Sequence, residues 1–399
     1  MRRLLLALLL VPFAAPAHAE SWCAYPLWVH EWGVHVFAAD GKPAAVEELP
    51  DYFHTPAGGA RSDAQKAVRN LPADSGVRAL PVLHFYSSGS LSSPIPVAVE
   101  VGFTHGAASA WYPAVDRLRP ADEANGPEAA AMRAKIEKLR AARKAAGPFG
   151  RDGELAPIPL DTTRQLAWDR IDLTPKPVRT PASTGEDWVQ LARKFSALWA
   201  NSDGESERFV FYEAGTDERV PLMLVRGDTF GKGRRHYVLH NTSGHAVHDV
   251  FVVTREKAKS YVFYAPAIPA GKSAGFLIED HLVKDVEDAT VGRLRRALVD
   301  PAATEAPKDY RWGDGCVMGR DPALPFEEAA SHKLFASEVD LILEVWGARF
   351  FEQQGTTIVY REDTEALDAA MPLSIYTDMY NFVVLHRAGL AVWEHVKLP

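Results

Sequence analysis

The chain has 399 residues, with 52 acidic against 44 basic side chains and a formal net charge of −8 at pH 7. A moderately acidic balance without a basic stripe excludes nucleic acid as the natural partner, and two cysteines exclude a disulfide-dense scaffold. The length is enough for two or three domains.

Met1 to Ala19 reads as a signal peptide. Arg2 and Arg3 form the positive start, Leu4 to Phe13 an apolar core too short to span a bilayer, and Ala17-His18-Ala19 a small-x-small cleavage site before Glu20. No later apolar run reaches membrane-spanning length, so the mature chain is expected to carry no transmembrane segment and to work in the periplasm or outside the cell.

Trp28 to Phe37, WVHEWGVHVF, is the most distinctive run. Alternate positions put Trp28, His30, Trp32, Val34 and Val36 on one face, and Val29, Glu31, Gly33, His35 and Phe37 on the other. Both faces are largely apolar, which predicts a strand buried on two sides. His30-Glu31 opens a near-match to the zinc-protease H-E-x-x-H, but the second histidine, His35, is one position too late to share a helical face. His30 and Glu31 remain candidates for a metal or acid–base cluster with His84 or His105 from neighbouring strands.

His30-Glu31-Trp32-Gly33 resembles the N-terminal signature of a group of uncharacterised secreted bacterial proteins. Pro81–Tyr86 (PVLHFY), Trp111–Pro113 (WYP), Leu166–Trp168 (LAW) and Glu207–Gly215 (ERFVFYEAG) fit the same resemblance in order. Where that group carries Thr-Phe-Thr after Gly33, this chain has Val34-His35-Val36. The resemblance implies kinship and secretion and brings no chemistry with it.

Turn-rich Ala38–Arg78 leads to strands at Arg78–Ser87, Ile95–Thr104 and Ala108–Tyr112. Pro127–Ala146 is a helical insertion, begun by Pro127 and stopped by Gly147. After a proline-rich connector containing Leu166–Leu173, Glu186–Ala200 is an amphipathic helix. Strands return at Arg208–Glu213, Val220–Arg226, Arg235–His240, Ala246–Arg255, Ser260–Tyr264 and Ala274–Glu279. Helices follow at Asp285–Val299 and Glu338–Gln354, and strands at Thr356–Tyr360, Phe382–His386 and Leu390–Glu394. The expected fold is mainly β with helical insertions, α+β overall. Its expected parts are an N-terminal β-sandwich-like domain over 20–180 and a connecting helix in 181–204. A second sandwich-like domain over 205–284 and a mixed helix/strand module over 285–399 complete it.

Three constellations carry chemistry. If Asn241–Gly244 is a four-residue hairpin turn, His240 faces His245 close enough to share a metal. In the same register His236 faces Asp249, and this second pair lies about 13 Å from the His240–His245 pair. Gly271-Lys272-Ser273-Ala274-Gly275 matches the G-x-S-x-G nucleophile elbow, but its setting is a turn between strands, without the helix that motif needs.

No complete catalytic set emerges. The leading expectation is a non-catalytic binding or assembly module of the cell envelope, with an envelope protein, a small molecule or a saccharide as partner. The alternative is a metal-dependent hydrolase or other metalloprotein, using His30, Glu31, His240 and His245 to hold a divalent transition metal.

Cys23 and Cys316 are expected to form one disulfide in an oxidising compartment. The bond would tie the segment before Trp28 to the C-terminal module, a constraint on the order of 5 kcal/mol at most. Non-reducing peptide mapping should recover the two cysteines in one cross-linked species. Quantitative labelling of two free thiols in protein taken from its native compartment would refute the bond.

Overall fold

Strand β1 (Leu27–Phe37) forms where the alternation predicts it, and it lies inside the molecule. The computed structural model describes residues 27–44, 49–56, 76–87, 94–124, 126–146, 165–183, 185, 187–228, 234–301, 331–377 and 383–399. The signal-peptide residues, Cys23 and Cys316 lie outside these.

The protein is mainly β, with several sheets. The large sheet has eight strands. Their order is β13 (Lys259–Ile268), β12 (Val247–Glu256), β15 (Gly355–Glu362), β17 (Val383–Trp393), β1, β2 (Gly76–Ser87), β9 (Val210–Thr216) and β4 (Gly106–Tyr112). A six-stranded sheet runs β16 (Leu373–Tyr376), β3 (Ile95–Val101), β6 (Leu166–Thr174), β7 (Trp199–Ser202) and β8 (Glu205–Glu207), with β5 (Arg117–Leu118) paired to β6. A three-stranded sheet runs β10 (Leu222–Arg226), β11 (His236–Asn241) and β14 (Ser273–Leu277). The helices are α1 (Ala121–Ala124), α2 (Pro127–Ala146), α3 (Asp187–Ala192), α4 (Arg293–Leu298), α5 (Ala336–Phe351) and α6 (Thr364–Ala370).

The large sheet is the middle layer, because both of its faces carry apolar side chains that need cover. On one face Trp32, Val34, Val36, Phe211, Phe251 and Leu390 share a core with Trp188 of α3, Leu294 of α4, and Ile342 and Trp346 of α5. On the other face two separate cores form. Val29, Phe85 and Leu385 pack with Val99, Trp168 and Ile375 of the six-stranded sheet. Phe37, Val250 and Ile358 pack with Leu224, Leu239 and Phe276 of the three-stranded sheet.

This topology crosses the expected segment boundaries. The large sheet takes β1, β2 and β4 from 20–180, β9, β12 and β13 from 205–284, and β15 and β17 from 285–399. At its centre β1 pairs in parallel with β17 along its whole length, and antiparallel with β2.

Three elements differ from expectation. The helix expected over Glu186–Ala200 ends at Ala192, and Trp199–Ser202 is a strand. Beyond that end, the Arg208 guanidinium donates to the carbonyls of Phe195 and Ala197 at 2.6 and 2.7 Å, satisfying acceptors that a longer helix would have used. Val383–Trp393 is one continuous strand in place of the two expected, since Ala388 and Gly389 stay paired to Trp32 and Gly33. The hairpin expected at Asn241–Gly244 does not form: β11 pairs with β10 and β14, whereas β12 pairs with β13 and β15.

Trp32 is 2 % exposed at the centre of the helix-covered face. Trp32→Ala should lower the unfolding free energy by about 3–5 kcal/mol, the cost of emptying a large core site. Urea unfolding measures it, and a loss below about 1 kcal/mol would show that this strand is not central.

Candidate functional site

Strand register lines up the polar groups of the His-Glu-Trp-Gly run with those of its two neighbours. His30 stands opposite His84 of β2 and His386 of β17, which puts three imidazoles in a row across adjacent strands. The His30 and His386 rings stack at 4.9 Å, tilted by only 7°. His84 and His30 are buried, and His386 is half-buried.

Helix α5 supplies a carboxylate to this row. Glu338, 0 % exposed in the first turn, lies 2.7 Å from His30 Nδ1 and accepts from the Tyr86 hydroxyl at 2.9 Å and from the Phe335 amide at 2.9 Å. His84 Nδ1 stands farther off, at 3.6 Å. Burial alone would push the Glu338 carboxyl up, but His30, His84 and the Phe335 amide together hold it below its ordinary value. Burial, with Glu338 beside it, pushes the Tyr86 hydroxyl well above its ordinary value. Burial dominates at His84 and lowers it from 6.5 to about 4, against the pull of Glu338 and aided by His30 and Arg208. The His386 imidazole is lowered by burial and by His30, and the Lys333 carbonyl it bonds at 2.7 Å opposes that.

The next register row lies on the opposite face. Glu31 pairs with Arg387, whose Nε and Nη2 both donate to its carboxylate. The Tyr212 hydroxyl donates to Glu31 at 2.5 Å, and Arg387 also donates to Asp368 of α6 at 2.6 Å and to the Met371 carbonyl at 2.9 Å. Arg387 is 0 % exposed, yet Glu31 and Tyr212 outweigh desolvation and raise its proton affinity. Beside the pair, a cavity of ≈ 20 Å³ is lined by Glu31, Gly33, His35, Glu362, Leu367 and Gly389, among others. It has room for about one water. A Cβ at Gly389 would meet the ends of the Glu362 and Leu367 side chains at 2.7 Å each, so both would have to move to admit a side chain there.

The other expected site residues fall elsewhere. His105 is exposed in the turn before β4, away from His30. His240 pairs with Met223 and Ser273, and its Nδ1 lies 2.8 Å from the Ser273 hydroxyl. It does not face His245, and His236, opposite Leu277, does not face Asp249. Asp249 sits at a bulge in β12, with φ at 47°, and accepts from Arg361 Nε and the Tyr264 hydroxyl at 2.9 Å each. The G-x-S-x-G run makes the turn into β14, with φ at +65° for Gly271 and no helix following directly.

His245 instead meets carboxylates that the sequence reading missed. One ligand atom from each of His245, Asp363 and Glu365 lies within 4.8 Å of the others. Asp363 caps α6, accepting from the Glu365 amide at 2.9 Å, and its second oxygen lies 2.8 Å from His248 Nε2. Burial raises the Asp363 carboxyl, but His248 and the Glu365 amide outweigh this and hold it below its ordinary value. The only local signal for these residues is an Asp-Thr-Glu helix start; nothing in the sequence ties it to His245.

No family model matches the sequence, and no curated protein matches it. Among solved structures, the chain is similar to the yeast delta-COP-I mu-homology domain complexed with a Dsl1 WxWxV peptide. That alignment has 7 % identity and a TM-score of 0.30, covering 94 % of this chain and 97 % of the other. A Danio rerio Fcho1 mu homology domain with bound Eps15 peptide aligns at 7 % identity and a TM-score of 0.26, covering 94 % and 97 %. Likeness at this level assigns neither fold family nor function.

The buried histidine row makes stability depend on pH. The folded His84 imidazole binds its proton more weakly than the unfolded one, so between pH 6.5 and about 4 protons favour the unfolded chain. The stability His84 provides is complete above 6.5 and is lost as pH falls, at about 1.4 kcal/mol per pH unit for each proton taken up. Glu338, with a lowered carboxyl, adds to the loss only below its unfolded value of 4.5. Urea midpoints across this window should fall with acidification, and His84→Gln should flatten the slope. An unchanged slope in that variant would show that His84 is not the group taking up the proton.

Proposed function

We propose that the protein is a non-catalytic binding or assembly module of the cell envelope, exported by its N-terminal segment and kin to the secreted group with the His-Glu-Trp-Gly strand. The observation that carries this reading is where the polar groups of that strand end. Glu31 terminates on Arg387 and Tyr212, and His30 on Glu338, all inside the protein. Groups held in such partnerships fix a register and dock a helix; they are not presented to a substrate. Two smaller sheets packed on one large sheet form a layered support, and β-rich supports of this kind commonly carry recognition surfaces. Along β10, Met223 and Val225 point outward, 48 % and 37 % exposed. An envelope protein is the partner this arrangement suits best.

Among the described residues no helix is long and apolar enough to cross a membrane. The test is native sizing of protein released gently from the envelope, together with N-terminal sequencing. The chain should begin at Glu20 and elute in an assembly well above the size of a single chain, returning to that size when the assembly is dissociated. Retention of Met1, or elution as a single chain throughout, would refute the proposal.

A further inference from the structure

We propose that His245, Asp363 and Glu365 form a site for a divalent first-row transition metal. The two segments are distant in sequence and are joined by strand pairing. Val247 of β12 stands opposite Glu362 of β15, so the residues just before one strand and just after the other emerge at the same end of the ladder. His245 precedes Val247 by two positions, and Asp363 and Glu365 follow Glu362 into the first turn of α6.

Each donor sits on a backbone that is already held. The His245 carbonyl accepts from the buried Asn241 side chain at 2.8 Å and from the Ser243 hydroxyl at 2.7 Å. Asn241 also bonds the Ile268 carbonyl of β13 at 2.9 Å, which anchors the loop to the large sheet. Asp363 is fixed by its capping bond and oriented by His248, which leaves the remaining lone pairs of its oxygens for an ion. Donors fixed in this way lose little freedom on binding, which is the requirement for a built site.

The spacing and chemistry also fit. Metal–donor bonds of roughly 2.0–2.2 Å in tetrahedral geometry place donors about 3.3–3.6 Å apart. Donor atoms that already lie within 4.8 Å of one another reach this spacing by side-chain rotation. Among the described residues, no hydrogen bond reaches the His245 ring or the Glu365 carboxylate, so neither donor must leave a partner to bind an ion. One imidazole nitrogen with two carboxylates suits zinc, manganese or iron, and offers no thiolate that would select copper(I). Three protein donors leave an open position, which water or an oxygen of a partner molecule fills. The site stands or falls separately from the envelope reading, because metal uptake is read on the isolated protein.

The test uses untagged protein stripped with a chelator and titrated calorimetrically with zinc alone. Wild type should take up one zinc per chain. His245→Gln and Glu365→Gln should each weaken uptake by about tenfold or more, whereas His240→Gln should leave it unchanged. Both substituted positions are partly or fully exposed, and thermal melts check that the variants fold; if His245→Gln does not, Glu365→Gln alone decides. No uptake by wild type, or uptake unaffected in the folded variants, would overturn the proposal.

Discussion

The buried pair between Glu31 and Arg387 sets the centre of this protein. The two residues are 356 positions apart and sit side by side on parallel strands, away from water. Removing either partner would leave an uncompensated charge in the interior, at a cost of roughly 3–5 kcal/mol. The pair therefore discriminates among registers. Sliding β17 by one residue would carry Arg387 to the helix-covered face and strand Glu31 without its cation. Arg387 extends the constraint further, because its bonds to Asp368 and the Met371 carbonyl place α6 against the same sheet.

One residue along, the same strands do different work on the other face. His84, His30 and His386 form a polar row within an otherwise apolar core, and Glu338 anchors α5 over it. An apolar row would pack comparably but would not define where the helix begins. The carboxylate that caps the Phe335 amide also binds Tyr86 and His30, so helix start and helix docking are one set of bonds. Specificity of this kind depends on protonation, since the surroundings of His84 favour its neutral form.

Much of the fold was legible in the sequence because alternation along a strand is local. The two faces of Leu27–Phe37, the apolar side of Ile95–Val101 and the helix after Phe335 all follow from side-chain periodicity. Pairing is not local, and there the reading failed. His236–Asp249 looks like a hairpin, yet Asn241 bonds the carbonyls of His245 and Ile268 and turns the chain from one sheet into another. A hairpin tip and such a corner have the same short polar composition. The His30–His84 pairing was visible as an option because both residues lie on recognisable strands. Glu338 and Asp363 were not, since each reads as an ordinary acidic residue near a helix start.

Parallel pairing of β1 with β17 also sets an order of events during synthesis. Until residues 383–393 emerge, β1 has one neighbour fewer, and its open edge flanks two apolar faces. An open edge between apolar faces is a template for pairing with other chains. The contact that completes the sheet is among the longest in sequence separation, so loop closure delays it relative to local hairpins such as β12–β13. Until its last central strand arrives, a nascent chain of this design exposes an edge prone to aggregation.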